Sequence, residues 1–428
     1  MLTRWLALLS LACTVSAQEP ELAAAVDLPT RKERRKAALE LAKNDVSLDA
    51  WLLSMQGFLP RGRARPGTER VNVDLLVEGK RERTEITTFV PESYRSTKPA
   101  PLLLTLHGAG GDGRHEPARW RDTADALGMI VVSPSEAVEP GGYAFTLRER
   151  SSAMAVLRWA RRQFNIDENR IHLTGISRGG HMTWDVGLRF FDRFASLSPM
   201  IGGPRLDTRK GQNNLRFIEN AAALPIRDLQ GEGDDPRMLF NLRLAFARLK
   251  NLRATDAKFI TFEGMAHSFR MDAVDWKDFF TTSRRDPHTP RVVRLCASLR
   301  ESRAHWVELL RTDRTVKERF LPKVSVDVWN ALDDAGRRRH LQAEADKRTA
   351  RLVVERKKPG EFVASGTGVK RFRLLLSRDM FVSGEAATVT WRGKTKKARV
   401  RSDKKVLLLD FVERFDRTLL PVAVITVP

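Results

Sequence analysis

The segment Asn169–Gly180, NRIHLTGISRGG, carries a serine with a glycine two positions before it and another two positions after it. Gly175 and Gly179 lack a Cβ, so Ser177 can stand on a sharp turn between a strand and a helix. The start of such a helix also directs unpaired backbone N–H groups at the serine, where they stabilise developing negative charge. The G-x-S-x-G motif at a strand-to-helix junction therefore predicts that Ser177 is a nucleophile.

A nucleophilic serine needs a base, and the chain has eight histidines. His267 follows the predicted strand Lys258–Phe262 and a short loop. The other seven lie in a glycine-rich loop, in or just after the serine motif, or in the last third of the chain. Position and elimination both predict His267 as the base.

An acid that orients the imidazole is expected between the serine and the histidine in the sequence. The stretch Leu229–Pro236, LQGEGDDP, closes a predicted strand with an acidic turn. Asp234 is the first choice. Asp235 stays open as an alternative, although its position before Pro236 also suits a helix N-cap.

A second glycine-rich loop, His107–Gly111 (HGAGG), follows a predicted buried strand. In this position it predicts a backbone N–H donor for an oxyanion, from Ala109 or alternatively from Gly110, with the N–H of Arg178 as the second donor. The loop lacks the Lys-Ser/Thr pair of a phosphate-binding loop. We expect no metal or cofactor, because no dense His/Cys/Asp cluster is present.

Strands and helices alternate across the region that contains these motifs, which predicts a mostly parallel sheet with helices on both faces. The predicted strands are Val71–Val77, Thr84–Val90, Pro101–Leu106, Met129–Val132, Arg170–Thr174, Ala195–Met200, Pro225–Leu229 and Lys258–Phe262, and the predicted helices are Ser151–Phe164, Gly180–Phe191 and Pro236–Leu249.

The two flanks differ from this pattern. Apolar residues recur at helical spacing over Glu19–Phe58, whereas short β-rich runs follow Thr289 and predict a small sandwich-like accessory domain. The predicted strands there are Val292–Leu295, Trp306–Leu310, Val324–Val328, Leu352–Val354, Phe372–Leu376, Ala387–Trp391, Val406–Phe411 and Val422–Val427. The expected division is a signal peptide over residues 1–17, a helical segment and linker over 18–66, a catalytic domain over 67–285 and an accessory domain over 286–428.

The first residues have the pattern of a cleavable export signal. Arg4 precedes a short apolar run, and Val15–Ala17 supplies small residues before the expected cleavage site. The apolar run is too short to span a bilayer. We therefore expect a secreted or periplasmic protein without a transmembrane segment. Its only cysteine after cleavage would be Cys296, so no internal disulfide forms.

The formal net charge of +22 comes from arginine and lysine spread along the chain. Such a charge attracts anionic polymers, and an anionic polysaccharide or surface is a candidate partner. No nucleic-acid-binding module is recognisable, so no specific nucleic acid is expected. A solvated basic surface is the favoured interpretation of most of this charge.

The segments that carry these motifs resemble one known group of enzymes. They are similar to the poly(3-hydroxybutyrate) depolymerase and feruloyl esterase branch of the α/β-hydrolases, and to phospholipase/carboxylesterase sequences. The similarity covers roughly Val71 to Phe280, about half of the chain. The matching segments are Pro101–Gly113, Asp167–Met182, Pro225–Pro236 and Phe262–Phe269.

This resemblance implies an α/β-hydrolase fold and ester hydrolysis through an acyl-enzyme, with Ser177, Asp234 and His267 in the triad positions and a substrate ester that is free or polymer-linked. Arg178 and Gln230 depart from the pattern, which usually has a small or apolar residue and a histidine at these points. Two alternatives remain at this stage. One is a serine peptidase of the same fold, and the other is an inactive hydrolase-like module that binds anionic glycans.

Overall fold

The computed structural model describes residues 19–60, 62, 64–135, 143–254 and 256–428. The predicted signal peptide, residues 1–17, lies outside them. The helices are α1 (residues 19–27), α2 (Arg31–Leu41), α3 (Leu48–Gln56), α4 (Glu116–Leu127), α5 (Leu147–Gln163), α6 (Arg178–Arg189), α7 (Pro236–Asn251), α8 (Trp276–Thr282), α9 (Val326–Ala331), α10 (Asp334–Asp346) and α11 (Lys404–Arg414). Among the described residues, no helix is both long enough and apolar enough to cross a membrane.

Most of the strands form three sheets. They are β1 (Gly67–Val77), β2 (Lys80–Val90), β3 (Ala100–Leu106), β4 (Ile130–Pro134), β5 (Ile166–Ile176), β6 (Ser196–Met200), β7 (Leu206–Asp207), β8 (Gln212–Asn213), β9 (Ile226–Gly231), β10 (Ala257–Phe262), β11 (Arg291–Cys296), β12 (Arg303–Ala304), β13 (Val307–Thr312), β14 (Ala350–Lys358), β15 (Glu361–Thr367), β16 (Val369–Leu376), β17 (Ala386–Trp391), β18 (Lys394–Arg399) and β19 (Ala423–Val427).

The largest sheet has eight strands in the order β1-β2-β4-β3-β5-β6-β9-β10. Strands β1, β2 and β4 pair in antiparallel fashion, and all the later neighbours are parallel. Every residue of β3 and β4 is buried, as expected for strands covered on both faces. This topology confirms the predicted α/β fold class: a mostly parallel sheet flanked by helices.

The helices around this sheet begin at strong local signals. Thr146 and Glu149 form a capping box at the start of α5, in which each side chain bonds the backbone of the other. Helix α7 begins at the Asp235 cap followed by Pro236, whose fixed φ suits the first helical position. Helices α4 and α10 were not among the predicted elements.

The β-rich region forms a five-stranded sheet, β11-β14-β15-β17-β18, and a four-stranded sheet, β12-β13-β16-β19. Two strand predictions there are wrong. Residues Val324–Val328 enter helix α9, where the Ser325 hydroxyl caps the N–H of Val328. Residues Val406–Phe411 lie inside helix α11, which buries Leu407, Leu408, Phe411 and Val412 together.

The β-rich region packs directly against the eight-stranded sheet and its helices. One apolar cluster contains buried residues from both regions, including Leu173 of β5, Leu295 of β11 and Phe411 of α11. Helix α11 also packs against α2 and α3 at the other end of the chain.

Buried charges bridge the same junction. Arg189 of α6 pairs with Asp185 at 3.1 Å and with Glu301 of the β-rich region. Arg150 of α5 contacts both of these carboxylates, at 3.0 and 3.1 Å. Each charge therefore has opposite charges around it, which offsets the cost of removing it from water.

A second buried pair lies nearby. The guanidinium of Arg285 lies 2.7 Å from a carboxylate oxygen of Asp416, and both side chains are almost fully inaccessible to solvent. Arg285 also bonds the side chain of Asn169, which lies in β5 shortly before the serine motif. Through Asp416, the β-rich region thus supports the strand that leads to Ser177.

Candidate active site

Ser177 lies between the end of β5 and the start of α6, at the carboxyl edge of the parallel strands. Its backbone has φ 53° and ψ −116°, which is unusual for a residue with a side chain. The carbonyl of Met200, the last residue of β6, accepts a hydrogen bond from the Ser177 N–H at 2.8 Å and holds this turn. The strained turn presents the hydroxyl above the sheet, as the motif predicts.

The two motif glycines are required by close backbone contacts. A Cβ on Gly179 would lie 2.0 Å from the carbonyl oxygen of Leu106 in β3. A Cβ on Gly175 would lie 2.4 Å from the carbonyl oxygen of Gly179. Any side chain at these positions would push the serine turn away from the sheet.

Three side chains form a continuous hydrogen-bonded chain at this edge. His267 Nε2 lies 2.8 Å from Ser177 Oγ, and His267 Nδ1 lies 2.8 Å from Asp234 Oδ2. The loop after β10 carries His267, and the turn after β9 carries Asp234. The Asp234 side chain is 9% exposed, whereas that of His267 is 53% exposed. The arrangement can pass a proton from the serine hydroxyl to the imidazole while the carboxylate orients the ring.

Asp234 and Asp235 have different contacts. Asp235 Oδ1 accepts the N–H of Arg237 at 2.8 Å and caps α7, while Asp234 faces the imidazole of His267. The geometry therefore separates the two carboxylates that the sequence leaves as alternatives.

The glycine-rich loop lies beside the serine. A Cβ added to Gly108 would lie 3.6 Å from the Cβ of Ser177, and the exposed Ala109 follows directly. Arg178 is the first residue of α6, so its N–H belongs to the helix turn that has no intrahelical acceptor. Both predicted oxyanion donors are on segments that border the serine hydroxyl.

The Arg178 side chain is half-buried and anchored beside the site. Its Nη1 donates to the carbonyl of Tyr143 at 2.7 Å, and the Tyr143 ring packs on His107 with 5.2 Å between ring centroids. The sequence identified Arg178 as unusual but missed Tyr143. No local pattern near Tyr143 predicts this contact, because the contact joins positions 35 residues apart.

His181, one turn into α6, was not predicted to take part in the site. Its Nδ1 lies 2.6 Å from the carbonyl oxygen of Gly203, which follows β6. Burial lowers the pKa of His181 to about 4, so its ring is neutral at neutral pH. It adds no charge next to the Ser177–His267 pair.

Below the site, Gln230 stands where the resemblance led us to expect histidine. Its Nε2 donates to Asp228 at 3.0 Å and to the carbonyl of Gly202 at 3.1 Å. Trp184 Nε1 also donates to Asp228, and burial raises the pKa of Asp228 to about 8. Gln230 therefore belongs to a buried polar group with Asp228 and Trp184.

The sequence predicts no metal site. Among the described residues, no group of three or more His, Cys, Asp and Glu side chains has an arrangement that would hold a metal ion.

Comparisons with known proteins find similarity over part of the chain. Residues of this chain are 26% identical over 177 positions to a bifunctional acetylxylan esterase/xylanase of Neocallimastix patriciarum, covering 40% of this chain and 24% of that protein. They are 27% identical over 117 positions to poly(3-hydroxyalkanoate) depolymerase C of Paucimonas lemoignei, covering 24% of this chain and 28% of that protein. The chain thus spans about a quarter of the length of these curated relatives.

The chain is thus related, over part of its length, to an enzyme named as an acetylxylan esterase and to one named as a poly(3-hydroxyalkanoate) depolymerase. Among solved structures, the acetyl xylan esterase from Aspergillus awamori matches this chain with a TM-score of 0.40 and 12% identity, over 50% of this chain and 99% of that one. No family model matches the chain.

Proposed function

We propose that this α/β-hydrolase is a carboxylic ester hydrolase in which Ser177 is the nucleophile, His267 the general base and Asp234 the orienting acid. The observation that carries the proposal is the pair of 2.8 Å contacts that link the three side chains. The relatives named above, an acetylxylan esterase and a polyester depolymerase, support the ester bond as the target.

The proposed reaction proceeds in two halves. Ser177 Oγ attacks the ester carbonyl carbon as its proton moves to His267 Nε2, and Asp234 stabilises the resulting imidazolium. The C–O bond to the alcohol then breaks, and the alcohol leaves with the proton from His267. A water molecule repeats the attack on the acyl-serine, which releases the carboxylic acid and restores the serine.

The tetrahedral intermediate carries a negative charge on the former carbonyl oxygen. We assign its two donors to the backbone N–H groups of Ala109 and Arg178. Removal of one such donor typically costs about 10²–10³ in kcat. Because these donors are backbone groups, side-chain substitution at Arg178 leaves one of them in place.

We propose that the substrate ester is carried on a polymer. Half of the His267 side chain faces solvent, which favours a site that a chain-like substrate can reach from the surface. Acetylated xylan and 3-hydroxyalkanoate oligomers are the first substrates to compare, since the two relatives are named for these classes.

The first experiment is labelling of the purified protein with a fluorophosphonate probe, which reacts with activated serines. We expect labelling of the wild type and none of Ser177→Ala or His267→Ala. Ser365→Ala, at an exposed serine in β15, is the matched control and should label like the wild type. Folded wild-type protein that resists the probe would contradict the proposal.

A substrate series then separates esterase from peptidase. We expect hydrolysis of p-nitrophenyl acetate and of at least one polymer ester, with the matched peptide amides left intact. Faster cleavage of the amides would assign the same three residues to a peptidase.

Export is a separate proposal. We propose that residues 1–17 are removed as the protein leaves the cytoplasm, and N-terminal sequencing of the mature protein should then begin at Gln18. A mature protein that begins at Met1 would contradict it.

A further inference from the structure

A partly enclosed cleft of about 520 Å³ lies between α1, α5 and the end of α11. Among the described residues, seven arginines line it, against three carboxylates from Asp27, Asp74 and Glu413. The lining side chains therefore carry a marked excess of positive charge. Protein side chains rarely gather like charges in a concave site without a partner, because the low-dielectric walls strengthen the repulsion.

Four of these arginines have carboxylate partners. Arg162 lies 2.6 Å from Asp27, and Arg34 lies 3.9 Å from Glu413. Arg161 and Arg414 pair with carboxylates behind the cleft wall, at 2.7 and 2.6 Å. Carboxylates of the chain itself therefore balance the charges of these four arginines.

The other three, Arg81, Arg158 and Arg193, have no carboxylate within 4.0 Å in the part of the chain that the structure describes. Arg158 donates to the backbone carbonyls of Val26, Val412 and Glu413, and Arg193 donates to the carbonyl of Arg414. These bonds hold both guanidinium groups in place but neutralise neither charge.

The surroundings of Arg158 and Arg193 lower the pKa of both guanidinium groups. Burial, reinforced by the charge of Arg34, lowers the pKa of Arg158 to about 9. Burial and the nearby Arg414 lower the pKa of Arg193 well below its usual range. An anion bound in the cleft would stabilise the charged form of both arginines.

The cleft lies far from the candidate active site. Arg158 and Arg162 lie near the end of α5, just before β5 begins, and Arg193 lies just before β6 begins. The five residues of β6 then lead to Met200, which holds the turn at Ser177. A strand rises about 3.3 Å per residue, so the five residues of β6 separate the cleft from the nucleophile by roughly 15 Å or more. The two sites therefore lie at opposite ends of the parallel strands.

We propose that this cleft is a binding site for an oxyanion group, a carboxylate, sulfate or phosphate, that is free or carried on an acidic sugar chain. Guanidinium forks match the planar or tetrahedral oxygens of these groups. Trp159 and Phe190 supply apolar surface for the body of a larger ligand. A second hollow of about 300 Å³ shares Phe190 and Arg193 with the cleft. Its lining adds arginines such as Arg31 and Arg35 and also carboxylates such as Glu308 and Asp410, and it gives a longer ligand room to continue.

Isothermal titration calorimetry at 150 mM chloride tests this site on the full chain, with sodium sulfate and tri-galacturonate as the two probes. We expect saturable binding with one site per chain. Arg193→Gln and Arg81→Gln should each weaken it about tenfold or more, which is the usual effect of losing one charge-assisted hydrogen bond. Arg81 is exposed at the rim and forms no ion pair among the described residues, so its loss should leave the fold intact.

Arg243→Gln is the matched control, since Arg243 is an exposed arginine on α7 outside the cleft. It should bind both probes as the wild type does, and fluorophosphonate labelling of Ser177 should be equal in all variants. Equal affinity for the two probes would assign a free oxyanion, and tighter binding of tri-galacturonate would assign an acidic sugar chain. Absence of saturable binding, or equal weakening by Arg243→Gln, would overturn the proposal.

Discussion

Arg189, on the helix that begins at the nucleophile, forms an ion pair with Glu301 of the β-rich region, and the two side chains are 1% and 2% exposed. The pair joins the candidate catalytic part of the chain to its C-terminal part through charges that water does not reach. Replacement of one partner leaves the other charged and without full compensation.

We therefore expect Glu301→Gln to lower the free energy of unfolding by about 3–5 kcal/mol. Urea denaturation followed by fluorescence measures this change. Glu40→Gln, which breaks the exposed pair with Lys43 on the protein surface, serves as the control and should have no measurable effect. Equal stability of the Glu301 variant and the wild type would show that the buried pair is not needed.

Asp234 and Asp235 provide a matched test of the proposed acid. Asp234→Asn should lower kcat by about 10⁴, because an amide no longer fixes the required tautomer of His267. Asp235→Asn should retain activity and stability, since asparagine caps a helix as well as aspartate does. Steady-state hydrolysis of p-nitrophenyl acetate separates the two, and a larger loss in the Asp235 variant would reassign the acid.

Asp228 predicts a dependence of stability on pH. Burial raises its pKa to about 8, whereas in the unfolded chain an aspartate has a pKa of about 4. Between these values the folded protein holds a proton that the unfolded chain has released. Stability should therefore fall as the pH rises from about 4 to about 8, by up to about 1.4 kcal/mol per pH unit.

Asp228→Asn removes this proton and keeps an acceptor for Trp184 Nε1. The stability of the variant relative to the wild type should rise steadily between pH 5 and pH 8, as measured by urea midpoints at each pH. Asp122→Asn, at an exposed position on α4, should show a constant difference. A flat difference for both variants would mean that Asp228 ionises normally.

Gly179→Ala tests the backbone contact behind the serine turn. The new Cβ would meet the carbonyl oxygen of Leu106 at 2.0 Å, and neither backbone can move without disturbing β3 or α6. We expect loss of probe labelling and a destabilisation of about 3 kcal/mol. Gly57→Ala, where φ is −84° and the nearest atom is 3.3 Å away, should label normally. Normal labelling of the Gly179 variant would contradict the contact.

The sequence was most informative where the signal is local. The glycine spacing around Ser177 and the acidic turn after β9 reflect steric needs of a few neighbouring residues, so the sequence shows them directly. The contact between Arg178 and the carbonyl of Tyr143 joins positions 35 residues apart. Nothing in either local sequence specifies it, and only the folded chain brings the two together.

In the β-rich region, two strand predictions were wrong because they relied on apolar content. The run Val406–Phe411 is apolar enough for a buried strand, yet Leu407, Leu408, Phe411 and Val412 are spaced to share one helical face, and Asp403 caps the helix. The Val324–Val328 alternation resembles a strand, but Val326 and Val328 are exposed and have no sheet partner. The helical spacing of the apolar residues and the capping residue before them would have identified α11, whereas apolar content alone did not.

The buried pair between Arg285 and Asp416 has a consequence for biosynthesis. The two residues are 131 positions apart, and Asp416 is made second. Until Asp416 emerges from the ribosome, Arg285 lacks the carboxylate that it contacts most closely, and the sheet below the nucleophile lacks part of its support. A nascent or truncated chain should therefore remain open to proteases and chaperones, and the hydrolase part should mature only after the β-rich region has been synthesised.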